Sequence, residues 1–146
     1  MKVKIKKLRP DAIVPTYATN GSACFDLYAS DEVLYEVLRG PFPSSPLIVN
    51  TGLCFEIPEG YFMQILSRSG LAFNHGYTVF PGVIDSDYRG AVMVKMMGEN
   101  FGGPRIRNGD RIAQAIILPV IRIAFEETDE VSGTERGTGG FGSTGL

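Results

Sequence analysis

Short runs of β-forming residues, separated by glycine and proline, constrain the fold more than any other feature of this sequence. Apolar, β-rich runs cover residues 47–49, 53–57, 61–66, 92–97 and 112–125, and residues 2–8 alternate polar with apolar side chains. Turn residues such as Pro58-Glu59-Gly60 lie between them, since glycine reaches positive φ and proline presets φ near −65°. Many short strands joined by turns predict an all-β fold, a mainly antiparallel β barrel or jelly-roll-like subunit.

Helix signals are few. Residues 31–38 carry apolar side chains at helical spacing and are followed by Gly40 and Pro41, which would end a helix. This pattern predicts a two-turn helix. Leu71-Ala72-Phe73 is long enough for one further turn.

The character of the chain changes near its C-terminus. From Ser132 onward there is no apolar periodicity, and glycine recurs up to Gly145. A chain of 146 residues suits one domain. We therefore predict one domain with a β core over residues 1–131 and a flexible glycine-rich arm over residues 132–146, for which a simple linker is the alternative.

Charge and cysteine content limit the partners and the compartment. The net charge is −2 and the pI is about 5.4, so the chain has no overall attraction to nucleic acid or to an anionic membrane. Lys2, Lys4, Lys6 and Lys7 form a small basic face, which is typical of an edge strand protected against aggregation. Two cysteines in a chain of this size predict free thiols. We expect an intracellular protein, cytoplasmic or within the host cell if viral.

Several kinds of active site lack their residues. His75 is the only histidine, so a zinc site of histidine and cysteine or a Ser-His-Asp triad is not expected. The glycine-rich arm is not a P-loop, because no lysine follows it and no helix can open before Leu146.

Arg68-Ser69-Gly70 carries residue types suited to binding phosphate. It directly follows a predicted strand, so the guanidinium and the hydroxyl would emerge at a strand end beside exposed backbone N–H groups. In the arm, Arg136 offers a planar guanidinium for phosphate, and Phe141 is an isolated aromatic ring among glycines. The alternative for the tripeptide is a polar surface turn.

Two carboxylates and a phenol lie in residues 82–90, which read as a hairpin between glycines. In an extended strand Asp85 and Asp87 would share one face and Tyr88 the other, although a tight turn would break that rule. The alternative is a solvated turn with a packed Tyr88. Asp26 lies between apolar neighbours, which predicts a surface carboxylate on a strand, and Gln114 reads as an outward polar position.

Five segments stand in a fixed order along the chain. They read ATNGSACFDLYA (18–29), SRSGLA (67–72), GVIDSDYRG (82–90), GDRIAQ (109–114) and RGTGGFGSTG (136–145). Together they resemble the five motifs of the trimeric dUTP diphosphatase (dUTPase) family over nearly the whole chain. Two positions depart from the family pattern: Cys24 replaces a glycine and Ser67 replaces a proline. The change at Ser67 is expected to alter backbone stiffness more than chemistry.

The resemblance implies an enzyme that hydrolyses dUTP to dUMP and pyrophosphate, limiting uracil in DNA and supplying dUMP for dTMP synthesis. It implies that Asp85 is the general base for water attack on the α-phosphate. The implied substrate-binding residues are Arg68, Ser69, Gly70, Gly82, Val83, Tyr88, Met93, Gln114, Arg136, Phe141 and Gly142.

Within that set, Arg68, Ser69 and Gln114 would bind the phosphates, and main-chain groups near Met93 would read uracil. Tyr88 would pack on the deoxyribose and leave no room for a 2′-hydroxyl. The arm would close over the nucleotide, with the Phe141 ring on uracil.

The resemblance also implies Mg²⁺ as cofactor. Asp26 would contact the ion through water, and the triphosphate would provide most of its ligands. A homotrimer with shared active sites is implied as well, while Asp110 and Arg111 would be structural and could pair. Three alternatives stay open: a dCTP deaminase, a nucleotide-controlled binding or signalling protein, and a capsid-type β module.

Overall fold

Short antiparallel strands make up most of the structure. The computed structural model describes residues 1–30, 46–98 and 106–140. The strands in these residues are β1 (Lys4–Lys7), β2 (Phe25–Tyr28), β3 (Leu47–Asn50), β4 (Leu53–Glu56), β5 (Tyr61–Leu66), β6 (Tyr77–Val79), β7 (Gly82–Ile84), β8 (Met93–Gly98) and β9 (Arg111–Pro119). One helix, α1 (Ser69–His75), is described between β5 and β6.

The strands form three sheets within the described residues. Their orders are β1-β4, β2-β9-β5-β7 and β3-β8-β6, and every pairing is antiparallel. The predicted all-β, mainly antiparallel class is therefore confirmed. No closed barrel forms among the described residues, so the architecture is a set of packed sheets.

The core lies between the sheets. In β8, Val94 and Met96 are buried while Met93 and Lys95 are exposed, which is the period of two that a half-buried strand requires. The largest fully buried side chains include Leu27, Leu53, Met63, Met96 and Ile112. Each such side chain contributes about 1.5–3 kcal/mol relative to exposure, so the core holds the strand ends that carry the site in fixed positions.

Helix α1 is longer than the single turn predicted at Leu71-Ala72-Phe73. It ends at Gly76, whose φ of 66° lets its N–H donate to the carbonyl oxygens of Ala72 and Leu71. The predicted helix over residues 31–38 lies outside the described residues. In the described part of the chain, no helix is long and apolar enough to cross a membrane.

Strand β1 is an edge strand, as its lysines predicted. Among the described residues it pairs with β4 alone, and the Lys4 ammonium donates a 2.8 Å hydrogen bond to Glu56. This hydrogen bond and the charge of Lys4 hold the pKa of the Glu56 carboxyl below its usual value. Both cysteines, Cys24 and Cys54, are described and unpaired, which confirms the predicted free thiols.

Strand β9 ends earlier than predicted. The sequence predicts a strand over residues 112–125, but β9 stops at Pro119 and residues 120–138 are all exposed. Ile121 and Phe125 are 88% and 91% exposed. Apolar side chains at alternate positions of an exposed segment indicate a surface that this chain alone does not cover.

Candidate active site

The four-stranded sheet brings together residues that are far apart in sequence. Asp26 on β2 lies opposite Gln114 on β9, and Gln114 lies opposite Leu66 at the end of β5. Arg68 follows β5 two residues later and its Nε donates to Asp26 Oδ1 at 2.8 Å. Two of the predicted phosphate-binding residues therefore lie beside the predicted metal-linked carboxylate.

Asp26 is a buried carboxylate, and its prediction as a surface group is wrong. It is 8% exposed, and its neighbours Phe25 and Leu27 are buried as well, so both faces of β2 are covered. Alternation reports burial only when one face of a strand meets water. The buried charge is compensated by Arg68 Nε and by Arg111 Nη1, which lies 3.4 Å from Oδ2.

The Arg68 guanidinium is held at two points. Besides its contact with Asp26, its Nη1 donates to the carbonyl oxygen of Arg111 at 3.0 Å. Arg111 thus pairs with Asp26 and not with its neighbour Asp110, whose carboxylate accepts the N–H of Arg107 at 2.7 Å. A guanidinium fixed in this way loses less side-chain entropy when it binds an anion.

Ser67 links the end of β5, by hydrogen bonds, to strand β6 of the three-stranded sheet. Its Oγ accepts the Val79 N–H at 2.8 Å and lies 3.4 Å from the Val79 carbonyl oxygen, to which it donates. Its own carbonyl oxygen accepts Gln114 Nε2 at 2.8 Å. The proline usual in the family could not make the hydroxyl contacts, so Ser67 adds hydrogen bonds that the sequence reading missed.

We expect Ser67→Ala to lower the free energy of unfolding by about 1–3 kcal/mol, because the N–H of buried Val79 loses its Ser67 partner. Thermal and urea unfolding would measure the change. Ser132→Ala is the matched control on an exposed serine and should stay within about 0.5 kcal/mol of wild type. Equal stability of the two variants would contradict this role for Ser67.

The segment 82–90 does not form the predicted hairpin. β7 pairs with β5, while the next strand, β8, pairs with β3 and β6 in a different sheet. After β7 the chain makes a tight turn, in which the Tyr88 N–H donates to the Asp85 carbonyl oxygen at 3.2 Å. Arg89 Nη1 closes the turn by donating to the carbonyl oxygens of Ser86 and Tyr88 at 2.7 and 3.0 Å.

Asp85 lies on this turn, exposed, at the rim of an open cleft of about 560 Å³. Asp87, Arg89 and Arg122 also line the cleft. Pairing of Ile65 with Gly82 sets the register, and the strands run in opposite directions from that pair. Asp85 and Arg68 therefore diverge by about 20 Å at roughly 3.3 Å per residue, so one protomer does not bring them together.

The other predicted binding residues of the fold lie at several places. Gly82 and Val83 are on β7, with the Val83 side chain exposed, and Met93 begins β8 with its side chain exposed. Ser69 and Gly70 form the exposed start of α1 beside Arg68. These residues therefore lie on three different elements, α1, β7 and β8, of the described part of the chain.

The arm contributes one described candidate. Arg136 is exposed, and its Nε donates to the Gly139 carbonyl oxygen at 2.8 Å. Phe141 and Gly142 lie outside the described residues.

The sequence did not predict the contacts that two residues make in the candidate site. Arg111 was given only a structural role, yet it shares Asp26 with Arg68, and Ser67 fixes the loop from which Arg68 emerges. The pairing of β2 with β9 was the signal needed for Arg111, and it depends on contacts between distant parts of the chain.

Comparison with known proteins identifies the family. The dUTPase family model matches residues 10–145. This chain belongs to the dUTPase family. The prediction made from the five motifs is thereby confirmed.

Relatives of the dUTPase family match over the whole chain. The deoxyuridine 5'-triphosphate nucleotidohydrolase of Nautilia profundicola is 48% identical over 99% of both chains. That of Hydrogenobaculum sp. is 46% identical over 100% of this chain and 99% of its own. Both are nucleotidohydrolases by name, which confirms the predicted enzyme class.

Solved dUTPase structures share the fold. A mutant dUTPase of Staphylococcus bacteriophage 80alpha with dUpNHpp superposes with a TM-score of 0.86, at 25% identity and 99% coverage of both chains. A mutant dUTPase from phage phi11 of S. aureus, whose structure reveals the coordination of a structural Mg(II) ion, gives 0.79. At 20% identity, over 91% of this chain and 100% of that one, this second likeness shows the fold alone.

Proposed function

We propose that this dUTPase-family chain hydrolyses dUTP to dUMP and pyrophosphate. The observation that carries the proposal is the match of the whole chain to nucleotidohydrolases named for this substrate. Removing dUTP would limit uracil incorporation into DNA, and the product would supply dUMP for dTMP synthesis. The cytoplasmic location stays a prediction.

The cluster around Arg68 is proposed to bind the triphosphate. Arg68 is oriented by Asp26 and by the Arg111 carbonyl oxygen, and the exposed Ser69 hydroxyl lies next to it in sequence. Gln114 is fixed by its hydrogen bond to Ser67 at the same strand end. Hydrogen-bond donors that are already in position need not reorganise during the reaction. They can therefore stabilise the negative charge that develops as pyrophosphate leaves.

Asp85 is proposed as the general base. Its exposed carboxylate lies at the rim of an open cleft, where a water can approach it. In this role it orients that water toward the α-phosphate and accepts its proton as the phosphoanhydride bond breaks. The turn that carries Asp85 is closed by Arg89, which fixes the main chain behind the carboxylate.

The nucleoside would lie along β7 and the start of β8. Main-chain groups of Gly82, Val83 and Met93 would read uracil, and Tyr88 would pack on deoxyribose. Such a contact excludes a 2′-hydroxyl by shape, which gives selectivity against UTP. From the arm, Arg136 would contact the phosphates, while Phe141 would stack on the base and Gly142 would let the main chain lie close to it.

Mg²⁺ is the proposed cofactor, and Asp26 fits a contact made through water. Both carboxylate oxygens already have an arginine partner, yet each can accept a further hydrogen bond from water. The described residues contain no cluster of three ligating side chains, so the triphosphate would supply most ligands. When bound, the ion would neutralise charge on the phosphate oxygens.

A homotrimer with shared active sites is proposed for two reasons. In one protomer Asp85 and Arg68 point away from each other along the sheet, so a complete site needs Asp85 from another copy. In addition, Ile121, Ile123 and Phe125 form an exposed apolar stripe that a second copy would cover. The proposed receiving surface is the apolar groove of about 410 Å³ beside the edge strand β1.

Pyrophosphate release from dUTP, dCTP, dTTP and UTP, each with Mg²⁺, tests the proposed function. Release from dUTP alone is the expected result. Ammonia from dCTP would favour the deaminase, and no reaction with all four would favour a binding protein or a structural β module.

Ending the chain after Ser132 is expected to lower kcat/KM for dUTP by about 10- to 100-fold, because the arm no longer orders the nucleotide. The fold should persist, since residues 132–138 are exposed. Pyrophosphate release and thermal unfolding would measure both effects. Phe141→Ala in the full chain should reproduce part of the loss, whereas full activity after truncation would rule out a role for the arm.

A further inference from the structure

The Tyr88 ring lies directly on the main chain at Gly90. A Cβ atom added to Gly90 would be 2.5 Å from Tyr88 Cζ and 3.0 Å from Cε2, and it would also overlap the phenolic oxygen. Carbon atoms in contact are normally about 3.5–4.0 Å apart, so any side chain at this position would occupy the place of the ring. The ring therefore has its present position only because residue 90 is glycine.

The backbone of Gly90 does not itself require glycine. The described glycines with positive φ are Gly52, Gly60, Gly76, Gly109 and Gly137, and Gly90 is not among them. Alanine at this position would therefore not meet the left-handed strain that favours glycine. The constraint at Gly90 is thus the space occupied by the Tyr88 ring.

Two contacts hold Tyr88 next to the Asp85 turn. Its phenolic hydroxyl donates to the Ala91 carbonyl oxygen at 3.1 Å, and its N–H donates to the Asp85 carbonyl oxygen at 3.2 Å. Tyr88 as a whole is nonetheless 45% exposed, so a ligand can reach it from the side turned away from Gly90. The position of the ring is fixed from behind, by Gly90 and Ala91, and open in front.

We propose that Gly90 is a positioning residue that sets the discrimination between deoxyribose and ribose through Tyr88. The inference rests on the proposed function, in which the ring packs on the sugar. A ring pressed against the main chain has one defined place, and a sugar pocket bounded by it has one defined depth. A methyl group at residue 90 removes the hydroxyl from Ala91, and the freed ring no longer bounds the pocket.

Gly90→Ala should therefore change selectivity more than it changes stability. Because the ring is already half exposed, moving it gives up little buried surface, and the thermal midpoint should shift by less than about 3 °C. The ratio of kcat/KM for dUTP to that for UTP should fall by roughly 10- to 100-fold, which is the range that one misfitted group gives in a shaped pocket.

The experiment compares four variants with wild type on dUTP and UTP, with Mg²⁺. They are Gly90→Ala, Tyr88→Ala, the double variant, and the control Gly21→Ala, whose added Cβ meets nothing within 4 Å. If Gly90 acts through Tyr88, Gly90→Ala lowers the dUTP-to-UTP ratio when Tyr88 is present. The double variant should have the same ratio as Tyr88→Ala, because no ring remains to be moved. Gly21→Ala should keep the wild-type ratio.

Two results would overturn the inference: an unchanged ratio in Gly90→Ala, or an equal fall in the Tyr88→Ala background. A crystal structure of Gly90→Ala gives a test independent of activity, since a ring still bonded to the Ala91 carbonyl oxygen would also refute it. Wild-type protein that releases no pyrophosphate from dUTP would refute the proposed function itself, which separates the two failures.

Discussion

Replacing Asp85 with asparagine is expected to lower kcat for dUTP by about 10²- to 10⁴-fold, because the amide cannot accept the proton of the attacking water. Binding of dUTP should persist, since asparagine has nearly the same shape and the residues proposed to bind the phosphates lie elsewhere on the sheet. Pyrophosphate release gives kcat, and calorimetric titration with a non-hydrolysable dUTP analogue gives the Kd.

Asp87→Asn is the matched control for this prediction. Asp87 lies two residues from Asp85 on the same turn, is exposed and lines the same cleft. Its replacement by asparagine therefore makes the same change in charge and shape. Its kcat should stay close to wild type. Unchanged turnover in Asp85→Asn, or an equal loss in both variants, would remove Asp85 from the role of base.

Strand prediction succeeded where one strand carries its own pattern. β8 alternates exposed and buried side chains over its first four residues, and β5 is an apolar run bounded by turns, so both were found from sequence. β6 and β7 have three residues each, which is too short for any period to show. They exist because β8 and β5 offer them hydrogen-bonding partners, and that information lies elsewhere in the chain.

The overextended prediction for β9 has a different cause. Residues 112–125 are apolar enough to read as one strand, yet the side chains after Pro119 face water. The sequence shows only that Ile121 and Phe125 are apolar, and it does not show whether the rest of the chain covers them. The proposed interface between copies would account for apolar side chains that stay exposed in one protomer.

Part of the geometry of the candidate site follows from local position. Arg68 is predicted to emerge at a strand end, and the structure places it there, beside Gln114 and hydrogen-bonded to Asp26. Its role in binding phosphate stays a prediction. The burial of Asp26 was missed because it depends on Arg68 and Arg111, which come 42 and 85 residues later. Pairing of distant arginines with one carboxylate has no periodic signature.

The separation of Asp85 from Arg68 leads to the second large effect. If each site takes Asp85 from one protomer and Arg68 from another, then Asp85→Asn and Arg68→Ala should each be nearly inactive alone and recover activity when co-expressed. With equal amounts and random assembly, each site has about one chance in four of drawing both intact residues, so about a quarter of wild-type activity is expected. Pyrophosphate release from the co-expressed oligomers would measure it, and trimers selected to contain both chains should reach about a third, because each of them holds one complete site in three.

The control pairs Asp85→Asn with a chain that carries both substitutions. That mixture assembles in the same way but contains no intact Asp85, so it should stay inactive. Two different affinity tags, one on each chain, select the oligomers that contain both chains.

Mixed oligomers of the two single variants that remain inactive would mean that Asp85 and Arg68 serve one site from the same protomer. That outcome would require the Asp85 turn to move about 20 Å toward the Arg68 cluster when the nucleotide binds. Recovery to the expected fraction instead requires no such movement, because a neighbouring copy would supply the carboxylate to a sheet end that already holds Arg68, Asp26 and Gln114 in place.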